Sequence, residues 1–340
     1  MINLGVVGLG RWGQRHVESA IASGRFRVAR AAVRRPDRVA EFASKRSIIV
    51  SDNLEDLLAD PNIEAISLAT PNSLHAQQIL RVAASQKHVL TEKPFTVTKR
   101  DAENAVDACV RAGVVVAVGH DNRFYPAILT LKELIGSGAL GGIFHVESNI
   151  SHKGARQAGM SSLASSKTWR HDPREAPVGP MNHLGVHRID SYVQLFGKID
   201  HVYAQASSGA SNRTVADSVA LLVRFGTGMT GYIGTSQATM LNSRMQVFGS
   251  DGWAEATGPH EFEQYVHSSL NRVSVHRGDS TIETIDFDAM DSVKANFEAF
   301  ADAIEGKAPY PVPPDELIHV VAIMEAVGTS IETGRAVKVL

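Results

Sequence analysis

Short runs of consecutive apolar residues alternate with amphipathic stretches over the first third of the chain. The apolar runs predict strands over residues 2–7, 28–33, 65–69, 88–90 and 114–118. Apolar positions spaced three and four apart predict helices over residues 38–45, 54–59, 73–85 and 97–112. Because uninterrupted apolar strands are buried on both faces, this alternation predicts a parallel sheet covered by helices on both sides.

The pattern changes after about residue 122. One helix is predicted over residues 128–137, and longer strands follow over 143–150, 201–206, 215–225, 229–236, 244–249, 252–256, 271–277 and 281–287. Glycine-containing turns join some of these strands as hairpins, so we expect one large, mostly antiparallel sheet with helices on one face. Two helices, 293–305 and 314–333, close the chain, and residues 154–166 are expected to form a mobile loop.

The chain of 340 residues is too long for one ordinary core, and its 44% hydrophobic residues suffice for two. We therefore expect two domains, residues 1–121 and 122–340, with the last helix able to pack back on the first domain. The predicted fold class is α/β, with an N-terminal parallel sheet and a C-terminal α+β domain built on a mostly antiparallel sheet.

Charge and cysteine content exclude several classes of function. Lys and Arg number 34 against 36 Asp and Glu, a net charge of −2, which disfavours a general nucleic-acid surface. The single cysteine, Cys109, excludes an internal disulfide and fits a reducing compartment. Since the first predicted strand begins at residue 2 and no apolar run approaches the ~20 residues of a spanning helix, we expect a cytoplasmic protein without membrane contact.

A glycine-rich turn follows the first predicted strand. Gly8, Gly10 and Gly13 have the spacing G-x-G-x-x-G, with Arg11 and Trp12 between them. Glycines at these positions permit a tight turn, close approach of the backbone to a ligand and packing of the next helix on the strand. Backbone N–H groups at the start of that helix would then bind a pyrophosphate. The motif indicates a dinucleotide site with Arg11 and Trp12 beside the cofactor; Trp12 is expected only to pack.

The end of the second predicted strand indicates which dinucleotide is bound. An acidic residue about 20 positions after the glycines usually binds the ribose of NAD. Here Arg34 takes that place, with Arg35 beside it and Arg38 one helical turn further on, while Asp37 is out of register. Guanidinium groups suit a 2′-phosphate, so the pattern favours NADP(H), with NAD(H) as the alternative. An ordinary solvated basic loop would have the same composition.

Further motifs occur in a fixed order along the chain. They are Ala69-Thr70-Pro71-Asn72-Ser73-Leu74-His75, Glu92-Lys93-Pro94, Asn122-Arg123-Phe124-Tyr125-Pro126, the segment 179–190 and the ending Glu332-Thr333-Gly334-Arg335. Together with the glycine turn, they resemble the glucose–fructose oxidoreductase, inositol dehydrogenase and rhizopine catabolism (Gfo/Idh/MocA) family over essentially the whole chain. The resemblance implies a Rossmann domain, a C-terminal domain whose open sheet forms homodimers or homotetramers, and NAD(P)-dependent oxidation or reduction of sugars, inositols and related polyols.

Lys93 is the first candidate for catalysis. Oxidation of a secondary alcohol removes the hydroxyl proton, and a lysine at the strand-end crevice can exchange that proton; an ordinary surface lysine is the alternative. The resemblance implies that His187 hydrogen-bonds the reacting oxygen. The family has an aspartate four residues before that histidine, whereas this chain has His183. Since positions i and i+4 share a helix face, His183 is a hydrogen-bond partner in a modified relay, a specificity residue or a packing residue.

The resemblance also implies contacts around the cofactor and the substrate. Thr70, Pro71, Asn72 and His75 match the segment beneath the nicotinamide ribose, with Ser73 as the expected N-cap. Glu92 pairs with Lys93 or supports its loop. The predicted substrate residues besides Lys93, His183 and His187 are Asn122, Arg123, Trp169 and Arg170; the Trp–Arg pair is alternatively a domain-interface contact.

A metal site is a further possibility, because Asp190 and the pair His171-Asp172 accompany His183 and His187. The glutamate of a zinc-protease helix is missing, and we expect no metal and an ion pair or cap for Asp190 within the second domain. The sequence therefore predicts an NADP(H)-preferring oxidoreductase of a sugar, inositol or cyclic polyol, with keto-sugar or aldehyde reduction as the other direction. A regulator that binds the dinucleotide without turnover is the rival, favoured by the missing aspartate.

Overall fold

The protein is described here by a computed structural model that covers residues 1–152, 172–209, 215–259, 269–278 and 281–340. It forms two compact units. The first consists of Met1–Asp121 and Val293–Val321, and the second of Asn122–Ser292 and Ala322–Leu340. The loop predicted over 154–166 lies outside the described residues.

The first unit is built on a six-stranded sheet in the order β3-β2-β1-β4-β5-β6, in which every neighbouring pair is parallel. Its strands are β1 (Ile2–Val7), β2 (Phe26–Ala32), β3 (Ile49–Ser51), β4 (Ala65–Leu68), β5 (His88–Thr91) and β6 (Val116–Val118). The strand order reverses between β1 and β4, and the crevice at such a reversal is where open α/β sheets bind ligands. The glycine turn follows β1 and the 69–75 motif follows β4.

Helices cover both faces of this sheet. Neighbouring strand residues point to opposite sides, and because the strands are continuous apolar runs, both sides need to be buried. The helices are α1 (Arg11–Ala22), α2 (Ala40–Ser44), α3 (Glu55–Leu58), α4 (Asn72–Ala84), α5 (Lys99–Ala112), α8 (Ser292–Ile304) and the first part of α9 (Pro314–Thr333). On β4, Ala65 packs in a core with α1 and α8, whereas Ile66 and Leu68 pack in a second core with α4 and α5.

The second unit contains a nine-stranded sheet within the described residues, in the order β14-β13-β12-β11-β7-β10-β9-β8-β15. Its strands are β7 (Ile143–Ser151), β8 (Ile199–Ser207), β9 (Ser218–Phe225), β10 (Thr230–Ser236), β11 (Asn242–Gly249), β12 (Gly252–Thr257), β13 (Arg272–Arg277), β14 (Thr281–Asp286) and β15 (Val337–Lys338). Only the pair β7 and β10 is parallel among these described strands. Helices α6 (Pro126–Gly136) and α7 (Val186–Phe196) belong to the same unit.

The predicted fold class is confirmed, while several local predictions need correction. The predicted helix 38–45 is a 3₁₀ turn, Pro36–Val39, followed by the short α2. Strands β3 and β15 were not expected, since runs of three and two residues carry no measurable periodicity. In the described part of the chain, no helix has the length and apolar character needed to cross a membrane.

Candidate functional site

The glycine turn joins β1 directly to α1 and leaves open space at one glycine. Gly8 has a φ of +87°, and a Cβ there would lie 2.6 Å from the Ala69 carbonyl oxygen. A Cβ at Gly13 would lie 2.8 Å from the Gly8 carbonyl carbon, so helix and turn are in backbone contact. Gly10 is the N-cap of α1, where no side chain caps the helix and a Cβ would meet nothing within 4 Å. The uncapped N–H groups and this space fit a pyrophosphate.

The three arginines after β2 are exposed, and none forms an ion pair with a described residue. Arg34 and Arg35 lie between the end of β2 and the 3₁₀ turn, and Arg38 lies within that turn. They are therefore available to bind an anion. Arg11 is also exposed at the start of α1, and Trp12 is half-buried against the core beside α1.

His75 links the segment after β4 to the segment after β5. Its Nδ1 lies 2.9 Å from the Pro94 carbonyl oxygen, and its Nε2 lies 3.1 Å from the Thr70 carbonyl oxygen. Burial lowers the pKa of His75 against the effect of these two carbonyl groups. The neutral ring has one N–H and donates to one carbonyl at a time. His75 thus holds the two strand-end loops at a fixed separation.

The helix that carries His75 begins one residue earlier than expected. Asn72 is its first residue and Pro71 is the N-cap, so Ser73 lies inside the first turn and the prediction that it caps the helix is wrong. Proline has a fixed φ and ends the extended segment before the helix, which explains the earlier start. Asn72 is buried, and the Thr70 hydroxyl donates to Gln78 Oε1 at 2.6 Å.

Glu92 and Lys93 follow β5, and the Glu92 carboxylate is held on both of its oxygens. Oε1 lies 2.8 Å from His16 Nε2, and Oε2 accepts the Lys93 backbone N–H at 3.2 Å. Burial would raise the pKa of the Glu92 carboxyl, but the hydrogen bond and charge of His16, followed by the charge of Lys93, hold that pKa below its usual value. Glu92 is therefore a carboxylate at neutral pH. Lys93 is half-buried, and its peptide bond to Pro94 is cis.

In the second unit, the predicted histidines lie on a helical segment with an irregular start. Met181–Gly185 form a π-helical turn that continues into α7. From residue 181 to residue 193, every position is buried except His183 and His187, which are half-buried. These two positions therefore face away from the core of their unit, as residues on one accessible helix side do. A π-helical turn of this kind is frequent at functional sites.

Arg123 and Asp190 form a buried ion pair within the second unit. Arg123 Nε lies 3.0 and 2.9 Å from the two Asp190 carboxylate oxygens, and Nη2 lies 2.6 Å from Oδ1. The side chains are 2% and 0% exposed. The prediction that Asp190 forms an ion pair in the second half of the chain is confirmed. Asn122, next to Arg123, is 4% exposed.

Three predicted positions, Trp169, Arg170 and His171, lie outside the described residues. Among the residues that the structure does describe, no three His, Cys, Asp or Glu side chains are grouped so that they could hold a metal ion.

Sequence reasoning missed His16, which belongs to the Glu92 network. The buried positions of α1 include Gly13, His16, Val17 and Ala20, with the spacing of an apolar helix face. A histidine on such a face was the available signal. Its partners, Ser67 and Glu92, lie 51 and 76 residues away along the chain, which no local pattern reveals.

A parallel sheet in this order, with a glycine turn and an uncapped helix start at the reversal point, defines a dinucleotide-binding Rossmann domain. The model of an oxidoreductase family with an NAD-binding Rossmann fold matches residues 2–120, and the GFO/IDH/MocA C-terminal domain matches residues 128–255. Together they cover well over half of the chain. The protein belongs to the Gfo/Idh/MocA family and is an NAD(P)-dependent oxidoreductase.

Relatives of known name align over most of the chain. D-xylose 1-dehydrogenase (NADP(+)) 2 of Haloferax volcanii is 28% identical over 98% of this chain and 98% of its own length. The scyllo-inositol 2-dehydrogenase (NADP(+)) IolW of Bacillus subtilis is 27% identical over 85% of this chain and 82% of its own. The crystal structure of an oxidoreductase from Desulfitobacterium hafniense superimposes with a TM-score of 0.90 at 23% identity, covering 99% of this chain and 97% of that one. This last similarity concerns the fold alone.

Proposed function

We propose that the protein is an NADP(H)-preferring oxidoreductase of a sugar, an inositol or a related polyol, or of the corresponding keto-sugar in the reverse direction. The observation that carries this proposal is the arrangement of the first unit. The open glycine turn, the free arginines and the Glu92–Lys93 segment all follow the carboxyl ends of parallel strands of one sheet. The names of the xylose and inositol dehydrogenases among the relatives support the substrate class.

A bound nicotinamide would supply the hydride acceptor for oxidation of the substrate carbon and the hydride donor for the reverse reaction. The Lys93 amine accepts the hydroxyl proton in oxidation and returns it in reduction. His187 hydrogen-bonds the same oxygen and orients it. His183, which replaces an acidic residue of the family pattern, acts on substrate choice rather than on the proton. The remaining proposed contacts of the substrate are Asn122, Arg123, Trp169 and Arg170.

The dinucleotide is proposed to lie along the glycine turn. The pyrophosphate would be held by the turn residues Gly8, Gly10 and Gly13 and by the N–H groups of α1. Its neighbours would be Arg11 and Trp12. The nicotinamide ribose would lie beside the residues that follow β4 and β5, which are Thr70, Pro71, Asn72, His75 and Glu92. Arg34, Arg35 and Arg38 bind the 2′-phosphate, since guanidinium groups form strong charge-assisted hydrogen bonds with phosphate.

The first experiment incubates the purified protein with NADP⁺ or NAD⁺ and a panel of aldoses, inositols and polyols, and with NADPH and keto-sugars. Reduced nicotinamide is followed by its absorbance. Lys93→Ala should abolish turnover and leave NADPH binding within about threefold, because the amine acts on the reacting oxygen. Near-normal turnover of Lys93→Ala would refute the role of this lysine. His183→Ala should change the preferred substrate more than the highest rate.

Cofactor preference has its own test. Arg34→Asp replaces a guanidinium by a carboxylate that repels a 2′-phosphate, so the ratio of kcat/KM for NADP⁺ over NAD⁺ should fall by about tenfold to a hundredfold. Arg27→Asp is the matched control, because Arg27 is exposed near the opposite end of β2. Equal effects of the two variants would reject the proposed phosphate site.

A regulator of the same fold is the second candidate, and His183 is the observation that favours it. Binding of NADPH without turnover of any panel compound would support the regulator and reject the enzyme. We also propose that residues 1–121 form the dinucleotide-binding domain and residues 122–340 the substrate and oligomerisation domain of a cytoplasmic protein.

A homodimer or homotetramer is proposed to form through one face of the nine-stranded sheet. Leu222 on β9 is 52% exposed, and Phe248, Trp253 and His276 form stacked neighbours on the same face. A face of this kind is suited to burial against a second copy. Light scattering of the wild type and of Leu222→Glu would test this, and a monomeric wild type would reject it.

A further inference from the structure

His16 forms a buried link between the helix after the glycine turn and the segment that carries Lys93. The residue is 1% exposed. Its Nδ1 lies 2.7 Å from the Ser67 hydroxyl on β4, and its Nε2 lies 2.8 Å from Glu92 Oε1. The edge of its ring packs against Phe297 at a centroid distance of 5.5 Å. The ring is thus fixed on three sides.

The chemistry of the partners determines how the hydrogens are arranged. The Glu92 carboxylate only accepts hydrogen bonds, so His16 Nε2 carries a proton and donates it. In the neutral ring, Nδ1 then accepts from the Ser67 hydroxyl. The second Glu92 oxygen accepts the Lys93 backbone N–H. A continuous chain of hydrogen bonds therefore runs from α1 to the backbone of Lys93.

Glu92 has little freedom to move away from this chain. A Cβ at Gly119 would lie 3.2 Å from Glu92 Oε1, so the carboxylate packs directly on the backbone after β6. The titratable groups that act on it are His16 on α1, His75 on α4 and Lys93 beside it. Burying a carboxylate carries a desolvation cost, and replacing a buried ionic pair by apolar side chains is often neutral or stabilising. Stability alone therefore does not explain the His16–Glu92 pair.

We propose that His16 is a positioning residue for the reaction: it holds Glu92, and through Glu92 the Lys93 segment, in a fixed place relative to the helix that receives the pyrophosphate. This inference rests on the proposed function of Lys93. The inference predicts two linked losses when the His16–Glu92 hydrogen bond is removed. The backbone of the Lys93 segment becomes less ordered, and kcat falls because it depends on that order.

The first test measures the protein without ligand. Hydrogen exchange at the Lys93 N–H is measured by mass spectrometry, from the difference in deuterium uptake between overlapping peptides that end before and after Lys93-Pro94; Pro94 carries no N–H of its own. His16→Leu should accelerate exchange at Lys93 by about tenfold or more, since the carboxylate that accepts this N–H is released. His16→Gln, whose amide can still donate to Glu92, should restore most of the protection. If His16→Leu does not fold, Glu92→Ala, which removes the acceptor of the Lys93 N–H, provides the measurement instead.

The second test measures rate and binding separately. His16→Leu should lower kcat by about tenfold to a hundredfold, while the Kd for NADPH stays within about threefold. In the double variant with Glu92→Ala, His16→Leu should add little further loss, because either change alone already removes the His16–Glu92 contact. Independent, multiplicative losses would assign His16 a general structural role and overturn the proposal.

Lys87→Met is the matched control for a buried polar group of the same unit. Lys87 Nζ donates to the carbonyl oxygens of Asp60 and Ile63 at 2.8 and 2.7 Å, next to the opposite end of β5. It should lower stability and leave kcat and Lys93 exchange unchanged.

Unchanged exchange and kcat in His16→Leu, with Lys93→Ala inactive, would refute the positioning role alone. An active Lys93→Ala would refute the proposed function instead, and the exchange data would still decide whether His16 orders the segment.

Discussion

Alanine at Gly13 should strongly destabilise the first unit. The added Cβ would lie 2.8 Å from the Gly8 carbonyl carbon and nearer still to its oxygen, whereas real Cβ contacts are not seen below 3.0 Å. Gly8 cannot give way easily, because its N–H donates to Ala32 at 2.8 Å and its φ is +87°. Overpacking costs about 1–3 kcal/mol, and more when backbone must move. We therefore expect a loss of about 3 kcal/mol or more, a large part of a typical 5–15 kcal/mol.

Gly10→Ala is the matched variant in the same turn. Its Cβ would meet no atom within 4 Å, and the backbone at φ −70° and ψ −171° is allowed for alanine. The loss of stability should stay below about 1 kcal/mol, the cost of alanine at an N-cap. Affinity for NADPH should nevertheless fall by about tenfold or more, because the methyl group occupies the space proposed for the pyrophosphate.

Urea denaturation followed by circular dichroism measures the first effect, and a fluorescence titration with NADPH measures the second. The two variants should separate: Gly13→Ala loses stability, and Gly10→Ala loses binding alone. Wild-type stability in Gly13→Ala would show that helix and turn are not in backbone contact. Wild-type affinity in Gly10→Ala would show that the ligand does not approach this part of the turn.

Three further predictions concern other buried groups. Asp190→Asn leaves the buried Arg123 guanidinium opposite a neutral amide and should lower the free energy of unfolding by about 3–5 kcal/mol in urea; a loss below about 1 kcal/mol would contradict this. Because folding lowers the pKa of His75, its stabilisation is present above the ordinary value of 6.5 and is lost as the pH falls through the folded pKa. His75→Gln should therefore flatten the fall in stability below that value by up to about 1.4 kcal/mol per pH unit, and an unchanged slope would refute it. Burial raises the pKa of Cys109 to about 12, so the native thiol should react with an aromatic disulfide only after denaturant is added.

The parallel sheet was predictable because its strands are uninterrupted apolar runs, and β1 has the predicted bounds of 2–7. The glycine turn was predictable as well, since the spacing of its glycines reflects backbone contacts that any side chain would block. The sequence allowed the last helix to pack back on the first domain, but it did not indicate that the preceding helix, α8, also belongs to the first unit, together with only the first part of α9. The pattern of an amphipathic helix shows which face of the helix is buried, but it does not show which element that face packs against.

The candidate site likewise contains residues that the sequence identified and features that it did not. The resemblance to the family identified Lys93 and His187 as candidates, since the motifs that carry these residues are contiguous segments. The π-helical turn at Met181–Gly185 and the cap at Pro71 depend on hydrogen bonds that local composition does not specify. His16 needed knowledge of its partners on β4 and after β5, which only the folded sheet brings together.

The late position of α8 in the chain has a consequence for synthesis. Phe297 and Phe300 of this helix pack against Phe26 at centroid distances of 5.5 and 5.9 Å, in the core that also contains β1. A growing polypeptide that has completed all six parallel strands still exposes that apolar face to water. The ribosome must add residues 122–292 before the aromatic side chains of α8 are made, so a fragment ending at residue 121 should aggregate unless a chaperone shields it.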